Sequence, residues 1–220
     1  MAIDNSPRIR QRNKLERKVA NRAKHSRILI VTEGQTEQYY FEKLKRAYRL
    51  SGVEVRLSKG TAPDQVVAHA EKLFLNGDGG LYGKEDFDEV YAVFDRDEHP
   101  SYTNALNHAD SLGKDLKNRK RHPIVFEAVP SNPCFELWLL LHFQNVSTLM
   151  HRNEVFKLVQ HKLPGYEKGA KDVYSLTSDK LEQAIGRART MNSNASPYSK
   201  DTPYTGIASL VEHLQNLKKQ

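Results

Sequence analysis

The feature that most constrains the fold is a regular alternation of short apolar runs with longer amphipathic segments between residues 28 and 129. The apolar runs are rich in Val, Ile, Leu and Phe, which is typical of strands buried on both faces of a sheet. Between them, apolar residues recur with helical spacing, and such alternation predicts an α/β fold with a mostly parallel sheet flanked by helices. The predicted strands are residues 28–31, 53–57, 89–94 and 123–129, the last closed by Pro130; the predicted helices are residues 36–50, 63–75 and 102–116.

After residue 130 the pattern becomes helical, and no further strand is predicted. Asn132 is a candidate N-cap for the first of these helices. We therefore divide the chain into a basic tail (1–26), an α/β domain (27–130) and a helical extension (131–220) packed on the sheet. The predicted helices of the extension are residues 135–143, 154–163, 176–191 and 205–217, with a loop at 192–204.

The net charge of +7 is concentrated in the tail, because residues 1–27 hold nine Lys and Arg against two acidic residues. The other 193 residues balance 25 basic against 25 acidic side chains. A basic tail of this kind binds nucleic acid or another polyanion, or is a solvated arm without a specific partner. The tail residues predicted to contact nucleic acid are Arg12, Arg17, Lys18, Arg22 and Lys24.

Other sequence features exclude several classes of protein. The apolar runs are too short to span a bilayer, so we expect no membrane association. Cys134 is the single cysteine, which excludes an internal disulfide and a Cys-based zinc site within one chain. No apolar leader follows the first residues, and a cytoplasmic protein is therefore expected.

Acidic residues follow two of the predicted strands. Glu33 lies just past the first strand and is followed by Gly34, whereas Asp95 and Asp97 follow the strand at 89–94. Ligands of parallel α/β sheets collect at the carboxyl ends of the strands. If Asp95 and Asp97 lie in an extended segment, they point the same way, and if the two strands are neighbours, three carboxylates converge. Their repulsion and their hard oxygens predict a site for one or two Mg²⁺ or Mn²⁺ ions.

Each of these residues has an ordinary structural interpretation as well. An acidic residue after a strand is commonly a turn residue or a helix cap. Two further functions compete with metal-dependent catalysis: a module that binds nucleic acid or a nucleotide without cutting it, and a phosphatase that uses Asp95 as a nucleophile. The phosphatase interpretation is weaker, because its D-x-D motif normally follows the first strand and His99 stands where a Thr or Val is usual.

Three segments carry a resemblance to known families. VTEGQTEQYYFEKL (31–44) and YAVFDRDEH (91–99) resemble the Toprim signature, and the E-G-x-T-E form is closest to the OLD-type nucleases. SNPCFELWLLLHF (131–143) points more narrowly to the RloB (AbiLii-like) family. The resemblance covers roughly residues 27–217.

The resemblance implies a role for each matching residue. Glu33 is implied to be a metal ligand or general base, Asp95 and Asp97 metal ligands, and Glu37 a second acid of the OLD-like branch, while Gly34 lets the backbone pass close to the site. The implied activity is Mg²⁺- or Mn²⁺-dependent cleavage of DNA or RNA in bacterial restriction loci and anti-phage defence. Nucleic acid, a partner ABC-type ATPase and a second copy of the chain are the partners considered.

Several other residues are candidates for the same site. Glu136 lies in an apolar segment, where it is either a fifth acidic ligand or a helix-start acid. His99 follows the D-x-D motif and faces either substrate or solvent. Lys168 and Lys171 are candidates for the lysine that OLD-like nucleases are thought to use, or are surface lysines. Arg187 and Arg189 are candidates for contact with a phosphate backbone.

Overall fold

The computed structural model describes residues 26–77 and 82–217, and within them it has a five-stranded sheet of order β2-β1-β3-β4-β5. The first four of these strands run parallel and β5 is antiparallel, so the predicted mostly parallel α/β fold is confirmed. The tail candidates Arg12, Arg17, Lys18, Arg22 and Lys24 lie outside the described residues. The strands are β1 (Ile28–Thr32), β2 (Val53–Leu57), β3 (Glu89–Asp95), β4 (Val125–Asn132) and β5 (Tyr204–Thr205).

Helices cover both faces of the sheet, and the central strands β1 and β3 are therefore buried along their whole length. On one face, α2 and α3 pack against side chains such as Val31 and Phe94. On the other, α1 and the helices of the extension share one core with Ile30 and Val93. The helices are α1 (Gln35–Tyr48), α2 (Pro63–Asn76), α3 (Tyr102–Asp115), α4 (Glu136–Leu141), α5 (Arg152–Lys162), α6 (Val173–Thr177), α7 (Leu181–Asn192) and α8 (Ile207–Leu217).

The C-terminal part differs from the prediction in three places. Strand β4 continues through Pro130 to Asn132 and crosses the predicted boundary, since a proline can occupy a strand position whose amide is not needed by the ladder. The predicted loop ends in the short strand β5, which pairs with the last residues of β4. The predicted helix 176–191 is instead α6, a 3-10 turn at Ser178–Lys180, and α7.

The first helix of the extension is buried on all sides, with Leu137 to Leu141 shielded from solvent. This explains its unbroken apolar sequence, since a helix without an exposed face needs no polar stripe. Asn132 does not cap it. Its side chain donates instead to the carbonyl oxygens of Thr202 (2.7 Å) and Ser199 (3.5 Å). Within the described ranges, every helix is too short or too polar to cross a lipid bilayer.

The strand order fixes where a site can form. From β1 the chain moves to β2 on one side, and β3 and β4 follow on the other side. Such a reversal leaves a crevice at the carboxyl ends of the two strands that flank it, here β1 and β3. The register aligns Thr32 with Val93, so the residues after both strands meet at one edge.

Candidate functional site

Glu33 and Asp95 lie side by side at the crevice between β1 and β3. The amide of Glu33 donates to the carbonyl of Val93 at 2.9 Å, and the amide of Asp95 donates to the Glu33 carboxylate (Oε2) at 2.9 Å. Oδ1 of the Asp95 carboxylate accepts a hydrogen bond from the amide of Phe135 at 2.8 Å. The two predicted strand ends are therefore neighbours, and backbone amides hold their carboxylates in place.

Asp97 is placed by a turn rather than by an extended segment. Its φ of 41° lies in the left-handed region, which Asp adopts more readily than most residues. Its amide donates to the carbonyl of Pro133 at 3.0 Å. The expectation that Asp97 lies in an extended segment after Asp95 is therefore wrong. The side chain pairs with Arg152 through Oδ2, and the buried Oδ1 lacks a hydrogen-bond partner among the described residues.

Glu37 enters the site from the first turn of α1 and is 5% exposed. Its carboxylate lies against Gly34, where an added Cβ would be 2.6 Å from Oε2 of Glu37. The backbone of Gly34 has an ordinary φ of −117°. A side chain at position 34 would therefore displace the Glu37 carboxylate, whereas the backbone conformation of Gly34 suits any residue.

Glu136 reaches the same place from the first residue of α4, a position that is compatible with both alternatives proposed for it. It is 3% exposed, and its Oε1 accepts a hydrogen bond from the Tyr166 hydroxyl at 3.2 Å. Lys168 Nζ lies 4.0 Å from the same oxygen. The loop carrying Lys168 is fixed to α1, because the amide of Gly169 donates to Oγ1 of Thr36 at 2.8 Å.

These side chains line one pocket of about 280 Å³, which also contains Arg152. It brings together four of the five predicted acidic ligands with one predicted lysine. The fifth ligand, Asp97, lies in a larger cleft that adjoins the pocket at Arg152. The charged residues that line the pocket are Glu33, Glu37, Asp95, Glu136, Arg152 and Lys168.

Burial and mutual repulsion dominate the electrostatics of the pocket. Burial raises the pKa of Asp95 well above its usual range, and the charges of Glu37, Glu136 and Glu33 raise it further. Burial also raises the pKa of Glu37, to about 8, with Glu136 and Glu33 adding to the shift. The pKa values of Glu33 and Asp97 are raised too, mainly by burial. The site thus holds more carboxylates than its own cations neutralise.

One comparison assigns the chain to a family. The model of the RloB-like protein family matches residues 28–214. The chain belongs to the RloB family. No curated protein and no solved structure matches it. The match spans both the sheet and the helical extension, so the RloB-family region includes every residue of the pocket.

The donor chemistry of this RloB-family site fits a divalent cation, although the side chains are not arranged around one. In residues 26–77 and 82–217, no group of three or more His, Cys, Asp or Glu side chains already has the arrangement of a metal site. The carboxylates are directed instead at protein donors: Glu33 at an amide, Asp97 at Arg152. The buried, unpartnered Oδ1 of Asp97 is suited to an oxygen-coordinated ion.

The larger cleft has a volume of about 830 Å³ and lies beside the D-x-D turn. His99 lines it, a position that is compatible with both alternatives proposed for this residue. The side chain of Arg96 is 8% exposed, its guanidinium lies 4.6 Å from the centre of the Tyr102 ring, and it donates to the carbonyl of Ser199. Arg96 thereby fastens the segment before β5 to the turn between the two aspartates.

The remaining predicted residues in the described part of the chain lie elsewhere. Lys171 Nζ lies 5.7 Å from the centre of the Tyr39 ring and is not among the residues lining the pocket or the cleft. Arg187 donates to the carbonyl of Leu141 at 2.8 Å, and Arg189 pairs with Glu212. The two arginines of α7 therefore join helices of the extension and are not directed into the site.

Two residues of the site were not found from the sequence. Arg152 pairs with Asp97 from 55 positions away, and Tyr166 donates to Glu136 from 30 positions away. Neither belongs to a motif whose spacing reveals the contact. Arg152 lies two positions before the predicted start of its helix at residue 154, and only the packing of α5 against α4 brings it to the D-x-D turn.

Proposed function

We propose that this RloB-family chain is a metal-dependent nuclease that cleaves phosphodiester bonds of DNA or RNA. The observation that carries the proposal is the convergence of Glu33, Glu37, Asp95 and Glu136 at the carboxyl ends of β1 and β3. Buried carboxylates at this density are unfavourable unless a positive ion compensates them. Their cost to the fold is understandable if the cluster serves a functional ion.

Mg²⁺ or Mn²⁺ would be held by Glu33, Asp95 and Asp97, with Glu37 and Glu136 as additional acidic groups. When bound, such an ion neutralises the carboxylates, polarises a phosphate and lowers the pKa of bound water. The backbone amides of Asp95 and Phe135 keep the carboxylates of Glu33 and Asp95 oriented. The chain therefore supplies acidic ligands on rigid strand ends, as this chemistry requires.

Two cationic side chains face the acidic cluster. Lys168 lies beside Glu136, and Arg152 lines both the pocket and the larger cleft. Cations in these positions can bind the phosphate of a substrate and stabilise charge that develops on it. We assign Lys168 to the reacting phosphate and Arg152 to the adjoining phosphate.

Cleavage by the purified full chain tests the proposal. Plasmid DNA, single-stranded DNA and tRNA are each incubated with Mg²⁺, with Mn²⁺ or with EDTA. We expect products with metal only, and a loss of about 100-fold or more in rate for Glu33→Gln and Asp95→Asn. Asp115→Asn is the matched control. It removes an exposed carboxylate at the end of α3, where the chain returns to the start of β4 and not to the strand ends that form the site. Full activity of Asp95→Asn would overturn the proposal.

The resemblance to RloB proteins adds a setting to this activity. We infer that the chain acts in bacterial defence against phage and that a partner ABC-type ATPase controls it. A chain that is silent alone and cleaves when the ATPase encoded beside it is added with ATP supports this inference. Equal cleavage with and without that ATPase argues against control by the partner.

A second function, binding without cleavage, is favoured by one observation. Arg152 neutralises Asp97, which leaves fewer carboxylates directed at a common point. A pocket arranged in this way binds a phosphate through Arg152 and Lys168 without a cation. Binding of nucleic acid that is equal in EDTA and in Mg²⁺, with no product after long incubation, distinguishes this function from a nuclease.

A further inference from the structure

The larger cleft has walls of two different kinds. One side presents Leu149 and Met150, and Leu149 is 37% exposed, so its side chain is accessible to a ligand in the cleft. Another side carries Lys200 and Arg152, which pairs with Asp97, and the acidic Glu98 lines the cleft as well. A nucleotide has the same two kinds of surface, an apolar base face and a charged phosphate.

The cleft is built by specific contacts and is not an incidental gap. The carbonyl of Ser199 accepts from Arg96, and the carbonyl of Thr202 accepts from Asn132 at 2.7 Å. The first contact holds the segment that carries Lys200 against the D-x-D turn, and the second holds it against the end of β4. Lys200 is exposed between them and faces the cleft.

Arg152 connects the cleft to the acidic pocket, since it lines both. This arrangement suits a polymer better than a free nucleotide, because a nucleic acid strand that leaves the cleft at Arg152 enters the acidic pocket next. A volume of about 830 Å³ lies within the usual range of roughly 300–1,000 Å³ for pockets that enclose a small ligand. It holds a base only if that base is unstacked, whereas the bases of a duplex are buried in the stack.

We propose that this cleft binds an unpaired nucleotide of single-stranded nucleic acid, with its base against Leu149 and Met150 and its phosphates at Arg152 and Lys200. The inference rests on the proposed function for the nature of the ligand. It adds the class of substrate: a single strand, or a duplex only where it is opened. Residues beside the cleft therefore select the strand that the acidic pocket cuts.

The test is binding by the full chain in EDTA, so that cleavage does not interfere. A fluorescein-labelled oligothymidine and the same strand in a duplex are titrated at fixed ionic strength, and fluorescence anisotropy is measured. We expect the single strand to bind more tightly than the duplex. Leu149→Ser and Lys200→Ala should each weaken single-strand binding by about five-fold or more, as loss of a base or phosphate contact does.

Two variants serve as matched controls for these substitutions. Leu176→Ser removes an exposed leucine of α6, and Lys162→Ala removes an exposed lysine at the far end of α5; neither side chain lines the cleft. Both should bind within about two-fold of the wild type. The basic tail is the same in every variant, so differences between variants report the cleft.

Three outcomes would overturn the inference: duplex binding as tight as single-strand binding, no effect of the cleft variants, or competition by thymidine monophosphate as effective as that by the oligonucleotide. The last outcome would identify a site for a free nucleotide. Failure here is separable from failure of the nuclease proposal. Unchanged binding by Leu149→Ser alongside inactive Asp95→Asn removes the cleft assignment alone, whereas active Asp95→Asn alongside impaired binding removes the metal assignment alone.

Discussion

The carboxylate of Glu33 accepts a hydrogen bond from the backbone amide of Asp95 at 2.9 Å. This contact joins the ends of two parallel strands that are 62 positions apart in sequence. It orients one acidic side chain next to another, and burial raises the pKa of both carboxyl groups. A cation bound by both residues would join the ends of β1 and β3, and its removal should lower the stability of the chain.

Divalent metal should stabilise the wild-type chain against thermal unfolding. A ligand present at about 100 times its Kd adds about 2.7 kcal/mol, which corresponds to a rise in Tm of roughly 5–11 °C for a chain of this size. Asp95→Asn should lose this shift because its amide is a poor ligand. Scanning fluorimetry in EDTA and in Mg²⁺ measures both. Asp115→Asn should keep the full shift, and an unchanged shift in Asp95→Asn would contradict the site.

Arg152 should oppose metal binding, because it pairs with Asp97. Arg152→Ala frees the Asp97 carboxylate and removes a positive charge from the pocket. We expect about 1 kcal/mol tighter binding of Mn²⁺, or roughly five-fold in Kd. Titration of free Mn²⁺ by electron paramagnetic resonance measures this change. Lys162→Ala on the same helix should leave the Kd unchanged, and weaker Mn²⁺ binding by Arg152→Ala would show that the arginine supports the site.

Gly34→Ala should damage the site while leaving the fold intact. The new Cβ would lie 2.6 Å from the Glu37 carboxylate, which must rotate away, whereas the φ of −117° suits alanine. We expect cleavage to fall by about ten-fold or more while the free energy of unfolding changes by less than about 1 kcal/mol. Rate measurements and denaturant titration separate the two effects.

Gly186→Ala provides the matched control for that substitution. Gly186 lies in α7, and an added Cβ there has no heavy atom within 4 Å. Alanine in a helix interior should stabilise the chain by about 0.5–1 kcal/mol with no effect on cleavage. Equal activity of both glycine variants would show that the position of Glu37 is unimportant.

The sheet and the convergence of acidic residues could be predicted because local patterns determine them. The β-branched run at 28–31 and the run at 89–94 identify buried strands, and the residues after parallel strands must share an edge. The same patterns could not place Asp97, because its left-handed turn depends on contacts with Pro133 and Arg152. Nor could they predict β5, whose two residues pair with β4 only after the extension has packed.

The residues that complete the site were hidden for a physical reason. Arg152 and Tyr166 reach the acidic pocket from a helix and a loop of the extension, so their roles follow from tertiary packing and not from spacing. Arg187 and Arg189 illustrate the opposite error. Basic spacing on a helix indicates a charged face, but here that face bonds to α4 and α8 within the protein.

An ion pair between Glu89 and His213 should give the fold a defined pH window. The hydrogen bond with Glu89 raises the pKa of His213 above 6.5. For Glu89, burial alone would raise the pKa, but the hydrogen bond and the charge of His213 lower the pKa below 4.5. Tyr91 also donates to Glu89, and Glu127 lies near His213. The stabilisation is therefore complete between about pH 4.5 and 6.5. This stabilisation is lost as pH rises through the folded pKa of His213 or falls through that of Glu89.

Since His213 is partly exposed, we expect His213→Gln to lower the free energy of unfolding by about 0.5–1 kcal/mol inside this pH window and by less outside it. Tm measured from pH 4 to 9 checks this, with the exposed His161→Gln expected to parallel the wild type; a deficit that is constant across the range would show that the pair carries no charge-dependent stability.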